Sequence, residues 1–188
     1  MTFQTYGKWD EARWRELGPI YRDSFPHGAK PEGILRGMVE RGIASLHGAY
    51  LESRPVGMAV TGFSRGETDH GPFARLLIDY LAVERQARGQ RIGRRFFEYL
   101  RDWAVSQAQV DSVLIEAEAE DTSESRARMR FWESLGFHAT AYVHRYRWVP
   151  EPYRALVLPL SSGAPVPEDG EALFREITRF HGLSFRKG

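Results

Sequence analysis

Arg88-Gly89-Gln90-Arg91-Ile92-Gly93 is a basic glycine loop set between an apolar run, Leu76 to Val83, and an amphipathic pattern that begins near Arg91. A strand, a glycine loop and a helix in that order make a site for an anionic diphosphate. The exposed amides of the first helical turn point outward, the helix dipole favours negative charge, and glycine lets the backbone approach phosphate closely. Arg88, Arg91 and Arg94 add positive charge to the same stretch. A solvated basic surface loop has the same composition, so the loop alone does not settle its use.

The loop resembles the pyrophosphate-binding signature of the GNAT acetyltransferases, Gln/Arg-x-x-Gly-x-Gly/Ala, and it follows a strand ending in Leu81-Ala82-Val83 as that family's loop does. Downstream, Phe131-Trp132-Glu133-Ser134-Leu135-Gly136-Phe137 is similar to the family's Phe-Tyr-Glu-x-Leu-Gly-Phe ending of a helix before a strand. The resemblance covers roughly residues 43 to 146, and the N-terminal helices fit it too. It implies an α/β GNAT-like acyl-CoA N-acyltransferase fold, with a central mixed, mostly antiparallel sheet flanked by helices. It also implies acetyl-CoA as the cofactor and an amine as the acceptor.

On that resemblance, Arg88, Gly89, Gln90, Arg91, Ile92, Gly93 and Arg94 hold the diphosphate, and Leu81, Ala82 and Val83 pair with the pantetheine arm where their strand splays from its neighbour. The amide near Leu81 then faces the developing oxyanion. Ser125, Arg128 and Trp132 on the second cofactor helix are the further contacts implied. Two positions depart from the family. Its first signature glycine is Arg91 here, and the tyrosine that protonates the departing thiolate is Trp132. An indole N–H is a donor without an accessible acid function.

Candidate proton-transfer groups follow from residue type and placement. Asp79 is the single carboxylate in an otherwise apolar strand, a costly position unless the charge is paired or used. Strand alternation predicts Asp79 and Leu81 on one face and Tyr80 on the other. Asp79 is thus a candidate base, with an ion pair to an arginine as the structural alternative. Glu116 shares a strand face with Glu118 and is a second candidate, its alternative being a solvated strand end. Arg128 either meets phosphate or belongs to a solvated helix face. Tyr142, His144, Tyr146 and Trp148 alternate, which predicts one shared face. Tyr142 or Tyr146 is then a candidate for the missing acid, although a half-buried strand has the same pattern. His27, His47, His70, His138 and His181 show no metal spacing, so no metal is expected.

The elements that must carry these groups can be read in order. Residues 1–6 suit an edge strand. Asp10 caps a helix over 11–24, and Pro31 opens a second over 32–41. Residues 43–51 and 56–63 form a hairpin, residues 64–72 a polar turn, and residues 74–83 the strand before the loop. A helix over 91–108, a strand over 112–117 and a helix over 124–135 follow. Residues 138–149 and 153–160 read as two closing strands. The domain spans 1–160, and 161–188 is a linker with a helix over 171–180 that packs on the domain or on a partner chain.

Bulk composition narrows the classes. A chain of 188 residues with 42% hydrophobic and 27% charged residues suits one ordinary globular domain. A net charge of +1 supports neither nucleic acid nor a membrane surface as partner. Without cysteine there is no disulfide, thiolate metal site or cysteine nucleophile. The polar start and the lack of a long apolar run make the cytoplasm the expected location. The reading is an acetyl-CoA-dependent N-acetyltransferase acting on the primary amine of a small molecule, and a homodimer is compatible with it. The alternative is a catalytically weak CoA-binding module or adaptor on the same fold.

Overall fold

The computed structural model describes residues 1–68, 71–147, 149–160 and 169–186. Its elements run β1 (Thr2–Tyr6), α1 (Glu11–Ser24), α2 (Glu32–Glu40), β2 (Ala44–Leu51), β3 (Arg54–Thr68), β4 (Gly71–Val83), α3 (Ile92–Ala108), β5 (Ser112–Glu118), α4 (Ser123–Glu133), β6 (His138–Ala139), β7 (His144–Arg145), β8 (Pro152–Pro159) and α5 (Gly170–Ser184). One sheet in the order β1-β2-β3-β4-β5-β8-β6 joins them, with β7 also on β8. Every pairing is antiparallel except β4–β5. A parallel pair needs a crossover, and α3 supplies it.

Two apolar layers sandwich the sheet. On one face Trp14, Leu17 and Tyr21 of α1, Leu35 and Met38 of α2, and Phe174, Ile177 and Phe180 of α5 pack on Leu46, Val60, Leu77 and Val157. On the other, Phe96, Phe97 and Leu100 of α3 and Trp132 of α4 pack on Val56, Leu76, Ile78 and Ile115. The helices start where their sequence says they should. Asp10 accepts the amides of Ala12 and Arg13, and Thr122 accepts that of Ser125.

Three sequence expectations are corrected. The β3–β4 ladder shifts register between Val60, opposite Tyr80, and Thr61, opposite Ile78, so Asp79 is the extra residue of a β-bulge. Beyond it the faces exchange. Tyr80 and Ala82 join the α1/α2/α5 layer, whereas Leu81 packs against the α3/α4 layer. Asp79 therefore shares a side with Tyr80 and not with Leu81.

The stretch read as a polar turn is largely strand, since Ser64 pairs with Arg75 and Gly66 with Phe73. The Phe73 ring lies over Gly66, where it would clash with a Cβ. The predicted strand over 138–149 is broken. His138 faces Val157 and Ala139 faces Leu156, but His144 faces Tyr153, so two residues bulge out between β6 and β7. That is where the first turn of α5 enters, with Gly170 against Thr140 and Tyr142. His70, Trp148 and the 161–168 part of the expected linker lie outside the described residues.

Candidate active site

β4 and β5 pair only at Arg75–Ser112, Leu76–Val113 and Leu77–Leu114. Both strands continue, β4 to Val83 and β5 to Glu118, without a ladder between them. Their ends therefore open into a cleft. On the β4 side, Leu81, Ala82 and Val83 remain paired to β3, which leaves that strand's other edge facing the opening.

The glycine loop lies at the mouth of this cleft. A short 3₁₀ turn, Arg85–Ala87, precedes Arg88, whose Nε donates to Val83 O at 3.0 Å. Gly89 takes a positive φ of 81° and Arg91 one of 58°. Arg91 thus adopts the left-handed conformation that a glycine at the first signature position would take without strain. Arg91 is the N-cap of α3 and its side chain makes no capping bond. The amides of Ile92, Gly93 and Arg94 are left without intrahelical acceptors, as at any helix start. A Cβ at Gly93 would sit 3.3 Å from the Phe131 ring and 3.6 Å from Val83.

Other predicted cofactor contacts are engaged within the protein. Arg94 donates to Ser134 O at 2.8 Å, and Arg128 pairs with Glu118 at 2.6 Å. Ser125 is buried beside Thr122. Trp132 is buried too, with edge contacts to Phe97, Phe131 and Phe137. Its indole serves core packing between α3 and α4.

On the opposite side of the sheet, the cleft is floored by a buried polar cluster. Asp79 takes both oxygens to Lys30 Nζ at 2.7 Å, and the two side chains are only 3% and 7% exposed. Lys30 is held by its backbone, whose carbonyl accepts from Tyr21 Oη and whose amide donates to Tyr80 Oη, each at 3.1 Å. His181 Nε2 of α5 lies 3.3 Å from Asp79 Oδ1 and 3.5 Å from Glu116 Oε1. Tyr146 Oη donates to the other Glu116 oxygen at 2.5 Å.

The two carboxyls are driven apart. Burial would raise Asp79, but Lys30 and His181 outweigh it and hold the group below the ordinary carboxylate range. Burial raises Glu116, with Asp79 adding to the rise and His181 and Tyr146 only partly opposing it. Burial, with Glu116 beside it, holds the Tyr146 hydroxyl above the ordinary tyrosine range. A pair of acids pushed to opposite sides of their usual value divides the work: one stays charged and structural, the other can exchange a proton.

The structure thus brings Asp79, Glu116 and Tyr146 together. Tyr142 stands apart, exposed, with its ring on Phe174 and its hydroxyl 3.5 Å from His144 Nδ1. Tyr142, His144 and Tyr146 nevertheless all meet Phe174, so their expected common side survives the broken strand. An open groove of about 410 Å³, lined by Tyr142, His144, Phe174 and Arg179, lies beside them.

Lys30 and His181 were not singled out from the sequence. A signal existed for each. Lys30 is one of three lysines in a chain whose other side-chain cations are arginine, and His181 falls on the apolar face of α5, four residues beyond Ile177. Among the described residues no group of three or more His, Asp and Glu is arranged for a metal ion. The cation of this cluster is Lys30. No described helix is long and apolar enough to cross a membrane.

Comparison with known proteins agrees with this geometry. The family model for the acetyltransferase (GNAT) domain matches residues 43–139. No curated protein sequence matches the chain. Among solved structures, a GNAT-family protein from Bacteroides thetaiotaomicron superposes with a TM-score of 0.68 at 17% identity, covering 97% of this chain and 96% of that one. Arabidopsis thaliana NAA60 in complex with acetyl-CoA gives 0.68 at 15% identity, covering 86% and 99%. An aminoglycoside 6'-N-acetyltransferase complexed with coenzyme A gives 0.62 at 15% identity, covering 89% and 99%. At such identities these structures speak for the fold, and the matched segment, more than half of the chain, speaks for the family. The cleft between β4 and β5, the loop over residues 88–93 and the 43–139 match together place this chain in the GNAT acetyltransferase family.

Proposed function

We propose that the protein is an N-acetyltransferase that uses acetyl-CoA and moves the acetyl group to the primary amine of a small molecule, by direct attack in a ternary complex. The observation that carries this reading is the end of β4–β5 pairing at Leu77 and Leu114, which opens a cleft past half-buried Glu116 toward Val83, where the uncapped start of α3 lies. The acetyl-CoA and CoA complexes among the similar structures support the choice of donor.

Acetyl-CoA supplies the thioester carbonyl that the amine attacks. The amides of Ile92, Gly93 and Arg94, with Arg88 and Arg91, bind the diphosphate. The open edge of β4 at Leu81 to Val83 binds the pantetheine arm by backbone hydrogen bonds. Glu116 takes the proton that the amine nitrogen loses, a role suited to a carboxyl held above its usual range. Tyr146 fixes the Glu116 carboxylate, and its own proton is held too firmly for it to be the ready acid. Water then protonates the departing thiolate. Asp79 anchors Lys30 and His181 around Glu116.

Calorimetry with CoA, followed by thiol release from acetyl-CoA over a panel of primary amines, tests this. Binding is expected, and Gly93→Asp should abolish it by placing a carboxylate beside the phosphates and against Phe131. Glu116→Gln should lower kcat/KM by about 100-fold or more while CoA still binds. No CoA binding sinks the reading. CoA binding without turnover on any amine selects the CoA-binding module, which Trp132 in the acid's place would favour.

A further inference from the structure

His181 comes from α5, outside the segment that carries the family match, yet its ring lies in the cleft floor. It is held there by the helix as a whole. Arg75, buried in β4, pairs with Glu176, five residues before His181. Arg41 caps the far end, donating to Leu183 O at 3.2 Å and Ser184 O at 2.9 Å. Phe180 fills the space over Gly62, where no Cβ could fit. Such a clamp leaves the imidazole little freedom to turn away.

Among the described residues, the titratable groups that meet the ring are Asp79 of β4, Glu116 of β5 and Tyr146 after β7, with Lys30, ahead of α2, paired to Asp79 behind it. Asp79 and Lys30 cancel each other. With Glu116 ionised and His181 neutral, the pocket carries one net negative charge. One proton, on Glu116 or on His181, brings it to neutrality. Burial disfavours any net charge, so the pocket has a vacancy for one proton and two neighbouring places to keep it.

We propose that Glu116 and His181 form a proton-sharing pair, in which His181 is a positioning residue that takes over the proton Glu116 receives from the acceptor amine. This inference rests on the acetyl-transfer reading for its role in turnover. As the nitrogen–carbon bond forms, the carbon–sulfur bond breaks and sulfur leaves with its electron pair. The nitrogen's proton moves to a Glu116 oxygen. With the neutral ring carrying its hydrogen on Nδ1, the proton then passes from Glu116 Oε1 to the lone pair of His181 Nε2, and the new Nε2–H is held by Asp79 Oδ1. The ionised Glu116 is thereby restored, and the proton leaves to solvent past the partly exposed ring.

Two measurements on the full chain test the pair. In the first, thiol release from acetyl-CoA is followed across about pH 6 to 9 with the most active amine of the panel. His181→Gln, which keeps a donor but cannot carry the proton, should lower kcat about 10- to 100-fold. The KM for acetyl-CoA should be unchanged and the acid limb of the pH profile displaced. Wild-type kcat and an unmoved profile in His181→Gln overturn the proposal. The second measurement needs no acceptor. Ring nitrogen NMR of the free protein records the His181 Nε2 resonance in wild type and in Glu116→Gln at one fixed pH. Removing the carboxylate 3.5 Å away should move that resonance; the same resonance position in both proteins overturns the pair. If no amine is acetylated by the wild type, acetyl transfer fails as a reading, and the NMR comparison alone decides whether the two groups share a proton.

Discussion

Asp79 and Tyr80 are consecutive in β4, yet both reach Lys30: Asp79 through its carboxylate, Tyr80 by accepting the Lys30 amide at 3.1 Å. Only a bulge lets adjacent strand residues face the same way. That bulge places a buried ion pair at the point where β4 and β5 part, and with it the side of the cleft that carries the titratable groups.

The Lys30–Asp79 pair should be unforgiving to single changes. Asp79→Asn leaves the Lys30 ammonium buried without its counter-charge, and a loss of about 3–5 kcal/mol is expected by urea denaturation. Lys30→Met should lose a similar amount. The double change should be less damaging than the sum of the two. Additive losses would show that the pair does not act as a unit. Because the Asp79 carboxyl is held low, its contribution is complete above the unfolded-chain value near about 4 and is lost only as pH falls through the depressed folded value.

His47 makes the fold acid-sensitive at a site far from the cleft chemistry. It is fully buried between Thr5 and Thr61, each at 2.8 Å, and burial lowers its pKa to about 3. The unfolded chain binds the proton near the ordinary value of about 6.5. Stability is therefore complete above that value and falls by about 1.4 kcal/mol per pH unit as pH drops from it toward 3. Thermal melts between pH 7 and pH 5 should show this slope, and it should be absent in His47→Gln. An equal slope in both proteins would assign the acid sensitivity to other groups.

Arg91 trades backbone ease for charge. Its positive φ costs a non-glycine residue about 1–2 kcal/mol, and among the described residues its guanidinium has no hydrogen bond or ion pair. Arg91→Gly should raise stability by up to about 1 kcal/mol and weaken CoA binding in calorimetry by several-fold. Unchanged affinity would remove Arg91 from the diphosphate site.

Trp132 should matter for packing before chemistry. Trp132→Phe removes part of a side chain enclosed by Phe97, Phe131 and Phe137, and should cost about 1–3 kcal/mol. Turnover per folded molecule should be largely kept. A stable Trp132→Phe protein that binds CoA yet loses turnover by orders of magnitude would give the indole a part in the reaction.

The sequence by itself determined the pieces whose signal is local. The glycine loop, the apolar strand before it and the amphipathic helix after it lie within some 30 consecutive residues, so spacing and composition suffice to place β4, the loop and α3. The starts of α1 after Asp10 and of α2 after Pro31 were legible for the same reason, whereas Glu116 and Tyr146 were candidates through strand alternation with Glu118 and with Tyr142 and His144. Tertiary structure decided everything that depends on two distant segments meeting. Period-two alternation assumes an unbroken ladder, and the Asp79 bulge exists only because β3 opposes β4 in one register. The break between β6 and β7 depends on the entry of α5 at Gly170. The partner of Asp79 turned out to be a lysine 49 residues earlier, and its neighbour a histidine from the C-terminal helix. The rarity of lysine and the place of His181 on an apolar helix face mark the two residues but name no partner for either, because a buried charge is compensated by whatever side chain the packing brings within reach.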